Sequence, residues 1–288
     1  MLTRASFVAA LIGFAFAAQA QGPTPIQPVQ QLVRDVVYNE MQDRGSDSFW
    51  EYRSARVAGA QNLVREQVET SNGPIFRVLT DHGTPLSPTE RDREEARIDD
   101  LVKRPGAMDN VEKSHLQDEA RMRKIMEMLP DAFLYEYQGN PQGDVVKLAF
   151  KPNPSFVPQG YEARILHTLA GTLTVNQRQK RLINMKGTGT ERVDFGYGIL
   201  GHVEKGGTFE IGREQVSDTH WKTDLVEVHV EGKILLLKNV THDQRESRSD
   251  FHAVPHDISL AAAKQLLDTA AESTNVAQAG GSTRRVAP

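Results

Sequence analysis

Trp221-Lys222-Thr223-Asp224-Leu225-Val226-Glu227-Val228-His229-Val230-Glu231-Gly232-Lys233-Ile234-Leu235-Leu236-Leu237 is the stretch whose reading decides the fold class. Trp221 to Val230 and Lys233 to Val240 read as two strands, with Glu231-Gly232 between them as a tight hairpin. Ile234 to Leu237 is apolar on both faces, which argues for a central strand covered on both sides. The same rhythm continues outward. Strands are expected near Ala163 to Val175, Arg181 to Lys186, Glu191 to Ile199, Thr208 to Val216 and Arg248 to Val254. Turn signals separate them every 8–12 residues or so, roughly the spacing of consecutive antiparallel strands.

Further upstream, Ala132 to Gln138 and Val145 to Lys151 flank the turn Gly139-Asn140-Pro141-Gln142-Gly143, and a proline-rich link runs from Pro152 to Pro158. Phe49 to Val57, Leu63 to Val68 and Ile75 to Leu79 read as strands, with Asn72-Gly73 as a turn. Two regions break the period. Val29, Leu32, Val33, Val36, Val37 and Met41 fall at helical spacing. Ser87-Pro88-Thr89-Glu90 is a capping box with proline at the first helical position, opening a charged helix that Pro105-Gly106 ends. A second helix is expected from Val111 to Leu129, stopping at Pro130, so residues 87–129 form an αα-hairpin inserted between strands. The tail offers a short helix at Ser259 to Asp268, then a stretch from Glu272 to Pro288 whose composition suggests disorder. The fold class expected is α+β, built on an antiparallel sheet.

The first residues look like a secretory signal. Arg4 supplies a positive charge, Phe7 to Ala18 an apolar run of about a dozen residues, too short to span a bilayer comfortably. Ala18-Gln19-Ala20 is an A-x-A cleavage site, which divides a 1–20 leader, cut between Ala20 and Gln21, from a domain over 21–258 and the tail over 259–288. The expected location is the periplasm, free of the membrane after cleavage. The chain has no cysteine, which excludes disulfides, cysteine-ligated metals, a thiol nucleophile and a lipid-modified cysteine anchor. Net charge is −4 with both signs interspersed, and no basic stripe with aromatics appears, so nucleic acid is not an expected partner.

Catalytic motifs do not survive inspection. Gly196-Tyr197-Gly198-Ile199-Leu200-Gly201 matches G-x-G-x-x-G, but a nucleotide site needs a helix to follow, and Gly206-Gly207 breaks the chain soon after. Val193, Phe195, Tyr197 and Ile199 instead alternate with Asp194, Gly196, Gly198 and Leu200, as in a bent strand with one large apolar face. His202, His220, His229, His242, His252 and His256 lack zinc-site spacing and read as solvated. No G-x-S-x-G occurs. The carboxylates between Arg91 and Asp100 read as a solvated helix face, and Asn239-Val240-Thr241 as an accidental sequon. No cofactor is expected and no enzyme. Met108, Met122, Met126 and Met128 suit adaptable apolar contacts, either core packing against the sheet or a lid.

The order of elements resembles the half-barrel scaffold of periplasmic lipoprotein-sorting carriers, the LolA-like group, and of related periplasmic stress regulators. It looks closer still to exported proteins of soil bacteria that share that scaffold. The residues carrying the likeness are Gly83-Thr84-Pro85-Leu86-Ser87, Leu129-Pro130-Asp131-Ala132-Phe133, Phe150-Lys151-Pro152-Asn153-Pro154, Gly171-Thr172-Leu173-Thr174-Val175, Phe195-Gly196-Tyr197-Gly198, Lys205-Gly206-Gly207-Thr208-Phe209 and Trp221, within Val29 to Pro255. The resemblance implies a curved antiparallel half-barrel, with the N-terminal helix and the inserted αα-hairpin packed against its concave side over an apolar space. The insertion is longer and more charged than a carrier lid, and no position matches the carriers' lid-locking arginine.

The function expected is therefore non-catalytic binding of a lipid, a lipoprotein acyl group or another apolar envelope ligand. Phe195, Tyr197, Phe209, Ile211, Trp221, Met122 and Met126 are the candidate apolar lining. The alternatives are an envelope protein–protein or sensing module, whose partner surface would be the charged helix pair, and a hydrolase with an unrecognised site. The export reading has a direct check: N-terminal sequencing of the protein recovered from a periplasmic extract is expected to begin at Gln21, and an intact Met1 would refute it.

Overall fold

The computed structural model describes residues 26–44, 49–104, 106–195, 201–234 and 238–282. The expected cleavage site at Ala20 and Gln21, and Tyr197 with most of the glycine motif, lie outside them. Within them the elements are α1 (Val29–Arg44), β1 (Phe49–Ala58), β2 (Gln61–Val68), β3 (Ile75–Asp81), β4 (Thr84–Pro85), α2 (Pro88–Lys103), α3 (Asp109–Ala132), β5 (Phe133–Gln138) and β6 (Val145–Pro152). Then follow α4 (Tyr161–Leu166), β7 (Leu169–Asn176), β8 (Arg181–Gly189), β9 (Val193–Phe195), β10 (Gly201–Val203), β11 (Thr208–Gln215), β12 (Trp221–Ile234), β13 (Lys238–Val254) and α5 (Leu260–Ser282).

The fold is α+β: one open antiparallel sheet, ordered β4-β3-β2-β1-β13-β12-β11-β8-β7-β6-β5, with β10 and β9 branching from β12. Two meanders make it. The first, β1 to β4, and the second, β5 to β13, meet where β1 pairs with β13, from Phe49 opposite Val254 to Ala58 opposite Gln244. The helix pair α2–α3 carries the chain from edge strand β4 to edge strand β5. At about 1.5 Å per residue, the 24 residues of α3 cover about 36 Å of that distance.

Paired residues on neighbouring strands point to the same face. One row therefore runs Tyr137, Leu148, Leu173, Met185, Ile211, Val226, Glu246, Arg56, Leu63 across the sheet. This inner face is apolar from β5 to β12 and charged at β13 and β1. The apolar half carries the main core, in which Leu32, Val33, Val36 and Val37 of α1 and Leu129 and Ala132 of α3 pack on Phe133, Tyr135, Leu148, Phe150 and Val175. Burying each large apolar side chain contributes about 1.5–3 kcal/mol. A second core lies on the opposite face at the other end. Val68, Ile75 and Val254 meet Met108, Ile258, Ala263 and Leu267, with Val111 beside them. Helix α3 thus starts in one core and ends in the other.

Helix ends follow local chemistry. Ser87 caps α2 by accepting from the Glu90 N–H at 3.4 Å, and Glu90 accepts from the Ser87 N–H at 2.7 Å. Behind β3, Arg77 pairs with Glu95 at 2.7 Å and with Asp268, and Lys264 pairs with the same two carboxylates, which ties α2 and α5 together.

Four expectations need correction. Glu231-Gly232 is not a hairpin: β12 runs through it to Ile234, which pairs with Lys238 of β13 as Gly232 does with Val240. Lys233 to Val240 is therefore not one strand, and Leu235 to Leu237 of the expected central strand lie outside the described residues. A Cβ on Gly232 would stand 2.4 Å from the His202 carbonyl oxygen, so this glycine admits β10. The Ala163 to Val175 segment is not all strand, because α4 occupies its start. Pro130 does not stop α3, which continues to Ala132. So close to the end, proline removes one hydrogen bond, and its carbonyl accepts from the Gln30 side chain. The tail helix is longer than expected, since the alanine-rich run favours helix through Ser282.

Phe150, Gly171, Gly187 and Phe209 lie in register across four strands, two bare positions between two rings. A Cβ on Gly171 would stand 2.0 Å from the Lys186 carbonyl oxygen, so the backbones approach there in a way no side chain allows. Gly171→Ala should therefore destabilise the fold by about 1–3 kcal/mol, read as a lower urea midpoint. An unchanged midpoint would mean the close approach relaxes freely.

Candidate functional site

Between its two anchored ends, α3 passes over the charged half of the sheet with mostly exposed residues. Beneath it lies a cleft of about 370 Å³. Its sheet side is built from Phe49 and Tyr52 of β1, Gln67 of β2, Arg213 of β11, Trp221, Lys222 and Thr223 of β12 and Arg248 of β13. Glu69, Thr70 and Pro74 come from the β2–β3 connection, and His115 and Glu119 from α3. The strand positions follow from alternation: Tyr52 lies opposite Gln67, and Thr223 opposite Arg213.

Aromatic rings and cations alternate in and around it. Arg248 stands over the Tyr52 ring, 5.4 Å from its centre, and Lys222 over the Trp50 ring at 5.5 Å. Each cation also has a carboxylate. Lys222 Nζ reaches Glu69 Oε2 at 3.1 Å, Arg213 Nη2 reaches the buried Glu40 of α1 at 2.6 Å, and Arg248 Nε reaches Glu246 Oε1 at 2.8 Å. Glu40 also accepts from the Leu182 N–H at 3.1 Å, which fixes α1 to the sheet beside the cleft. Burial opposes the Glu246 carboxylate, but Arg248, then Arg65, outweigh it and hold its pKa below the usual value. The Trp50 indole N–H is buried without an acceptor.

The sequence candidates do not converge on one spot. Trp221 lines the cleft and is 7% exposed. Phe209 and Met126 belong to the packed main core, Phe209 standing against Gly187. Ile211 faces Met185 and Val226 on the inner face, and Met122 is a half-buried residue of α3. Phe195 lies apart on β9, 5.2 Å from the Tyr161 ring, with Arg164 beside both. Sequence reasoning missed Tyr52, Lys222 and Arg248, which read singly as ordinary strand residues. The motif Gly196 to Gly201 is followed directly by β10, a strand. Among the described residues, no group of His, Asp and Glu gathers as a metal site, and no helix is long and apolar enough to cross a membrane. Comparison with family models, curated proteins and solved structures finds no significant match.

Burial pushes the Tyr52 hydroxyl up to about 12 from an ordinary 10.0, against the pull of Arg248. The neutral phenol is thus the folded form, and its stabilisation, whole below the unfolded pKa, is lost as pH rises through the folded one. Urea stability should fall between pH 10.0 and about 12, and Tyr52→Phe should make that fall shallower, the buried Tyr135 and half-buried Tyr137, also pushed up by burial, supplying the rest. An alkaline profile unchanged by the substitution would remove Tyr52 from the buried set.

Proposed function

We propose that the chain is an exported, non-catalytic binding protein of the periplasm, working in the manner of the LolA-like half-barrels it resembles. Its ligand is an amphiphilic envelope molecule, a lipid or an acyl-bearing one, lodged between α3 and the inner face of the sheet. One observation carries this reading: a cleft of about 370 Å³ with aromatic walls at Tyr52 and Trp221 lies under a helix anchored at both ends. Ligand pockets commonly occupy about 300–1,000 Å³.

The lining decides what kind of ligand suits it. A 16-carbon chain in a wholly apolar sleeve gains on the order of 12 kcal/mol of gross transfer free energy. This cleft, with Lys222, Arg248 and Glu69 in its walls, offers only part of that. Association itself costs about 4–15 kcal/mol. An apolar tail alone therefore binds weakly here, and a polar head that engages the charged wall is required. The main core is closed to a tail, because the side chains of α1 and of β5 to β8 already fill it.

The chain has 2 tryptophans, and both stand at this place, Trp221 in the wall and Trp50 under Lys222. Protein purified from its own periplasm is expected to carry a lipid-sized mass in native mass spectrometry. Titration with palmitate or a lysophospholipid should change tryptophan emission, and Trp221→Phe should diminish the change. A ligand-free protein whose emission none of these amphiphiles alters would overturn the reading and favour the envelope protein–protein module, with the outer face of α3, where Leu116 is 60% exposed, as its surface.

A further inference from the structure

Beyond Arg248 the inner face carries more positive charge than it balances. Ser54 lies opposite Arg65 on one side and Arg248 on the other, and Arg56 lies opposite Glu246. Four of these groups are linked. Arg248 Nε and the Ser54 hydroxyl both donate to Glu246 Oε1, at 2.8 and 3.2 Å. Arg65 Nη2 donates to Ser54 Oγ at 3.3 Å and lies 3.9 Å from Glu246. Arg56 reaches only the neutral Gln244, at 3.5 Å.

Two guanidinium groups, Arg248 and Arg65, thus share the Glu246 carboxylate, a third, Arg56, stands opposite it in the register without bonding it, and Glu69 of the cleft is already paired with Lys222. Ser54 is fully buried and Arg65 is 8% exposed. The Nε–H groups of Arg56 and Arg65 are buried with no acceptor. After burial itself, the charges of Arg56 and Arg248 weigh on Arg65 and help hold its pKa below the usual value. Buried charge is normally paired or hydrogen-bonded, and here two charged donors are not.

We propose that Arg56, Arg65 and Arg248 form an anion seat that meets the cleft at Arg248 and takes the carboxylate or phosphate head of an acidic amphiphile. Guanidinium forks match both oxyanions in bidentate geometry. Arg248 belongs at once to the cleft wall and to the cluster, so head and tail can be held together. Glu246 is the internal competitor, occupying one Arg248 donor and facing Arg65. The inference rests on the cleft being the ligand site and names the class of ligand.

The test compares four probes on the full chain by tryptophan emission and calorimetry: palmitate, palmitoyl lysophosphatidate, neutral monopalmitoylglycerol and inorganic phosphate. The acidic amphiphiles should bind on the order of tenfold or more tighter than the neutral one. Arg56→Gln should lower the affinity for the acidic probes more than that for monopalmitoylglycerol. Glu246→Gln should act in the opposite direction, tightening the acidic probes, which a damaged fold would not do. Phosphate binding as tightly as lysophosphatidate would support the seat and identify a free anion as its occupant. Equal binding of acidic and neutral amphiphiles would overturn the seat and leave the cleft reading standing. Binding by none of the four would end both.

Discussion

The pairing of β1 with β13 holds the two halves of this protein together. Within each meander, strands mostly pair with their sequence neighbours, through short hairpins that need little chain to be ordered in advance. The seam between the meanders joins residues near the start of the chain to residues near its end. Its loop-closure entropy is correspondingly large, though that cost grows only logarithmically with length. Its register must also be chosen among many, because a slip of one residue turns every side chain of a strand to the other face. Ser54, Arg65, Glu246 and Arg248 lie across this seam, and their bonds form in one register alone. A slipped seam would bury charges without partners, a large penalty in a low-dielectric interior. Asp250, in the left-handed region at φ 57, takes up the one irregularity in the pairing.

From the seam outward the sheet is asymmetric. The β5 to β8 half is covered on its inner face by α1 and the end of α3, and the β1 to β3 half on its outer face by α5 and the start of α3. Helix α3 must therefore cross from one core to the other, and the cleft is what remains under its middle. Neither core reaches that place. It is spanned by the middle of α3, whose apolar anchors lie at its two ends and whose mid-helix Arg121 pairs with Glu162 of α4 at 3.7 Å. The fold thus sets α3 across the charged part of its inner surface, between two apolar cores.

Much of this architecture was legible in the sequence, for identifiable reasons. Helix α1 showed its apolar stripe, α2 its capping box, and the hairpins their turn residues, all local signals. The errors arose where a tertiary contact overruled a local signal. Gly232 read as a turn, yet its bareness serves the approach of β10. Helix α4 is only 6 residues long and opens after Gly160 at φ 88, too brief for a period to show. For the site, hydrophobicity pointed to Phe209 and Met126, which the main core absorbs. Arg56, Arg65, Glu246 and Arg248 each look like a solvated strand position in isolation. Only the register of the seam brings them onto one buried patch.

That patch is hard to explain by stability alone. Replacing a buried ion pair with well-packed apolar residues is often neutral, or stabilising by about 1–4 kcal/mol. The same inner face shows that this chain can be packed so, since the row from Tyr137 to Val226 is apolar and its helices close over it. The change to charge occurs where the cleft opens. Register selection accounts for one buried carboxylate and a partner, but it does not require a second guanidinium group, Arg65, on Glu246 and a third, Arg56, in register opposite it. The surplus leaves the Nε donors of Arg56 and Arg65 unused inside the fold, in a network that Arg248 joins to the cleft wall. Unspent donors beside an open volume are what binding an anion needs.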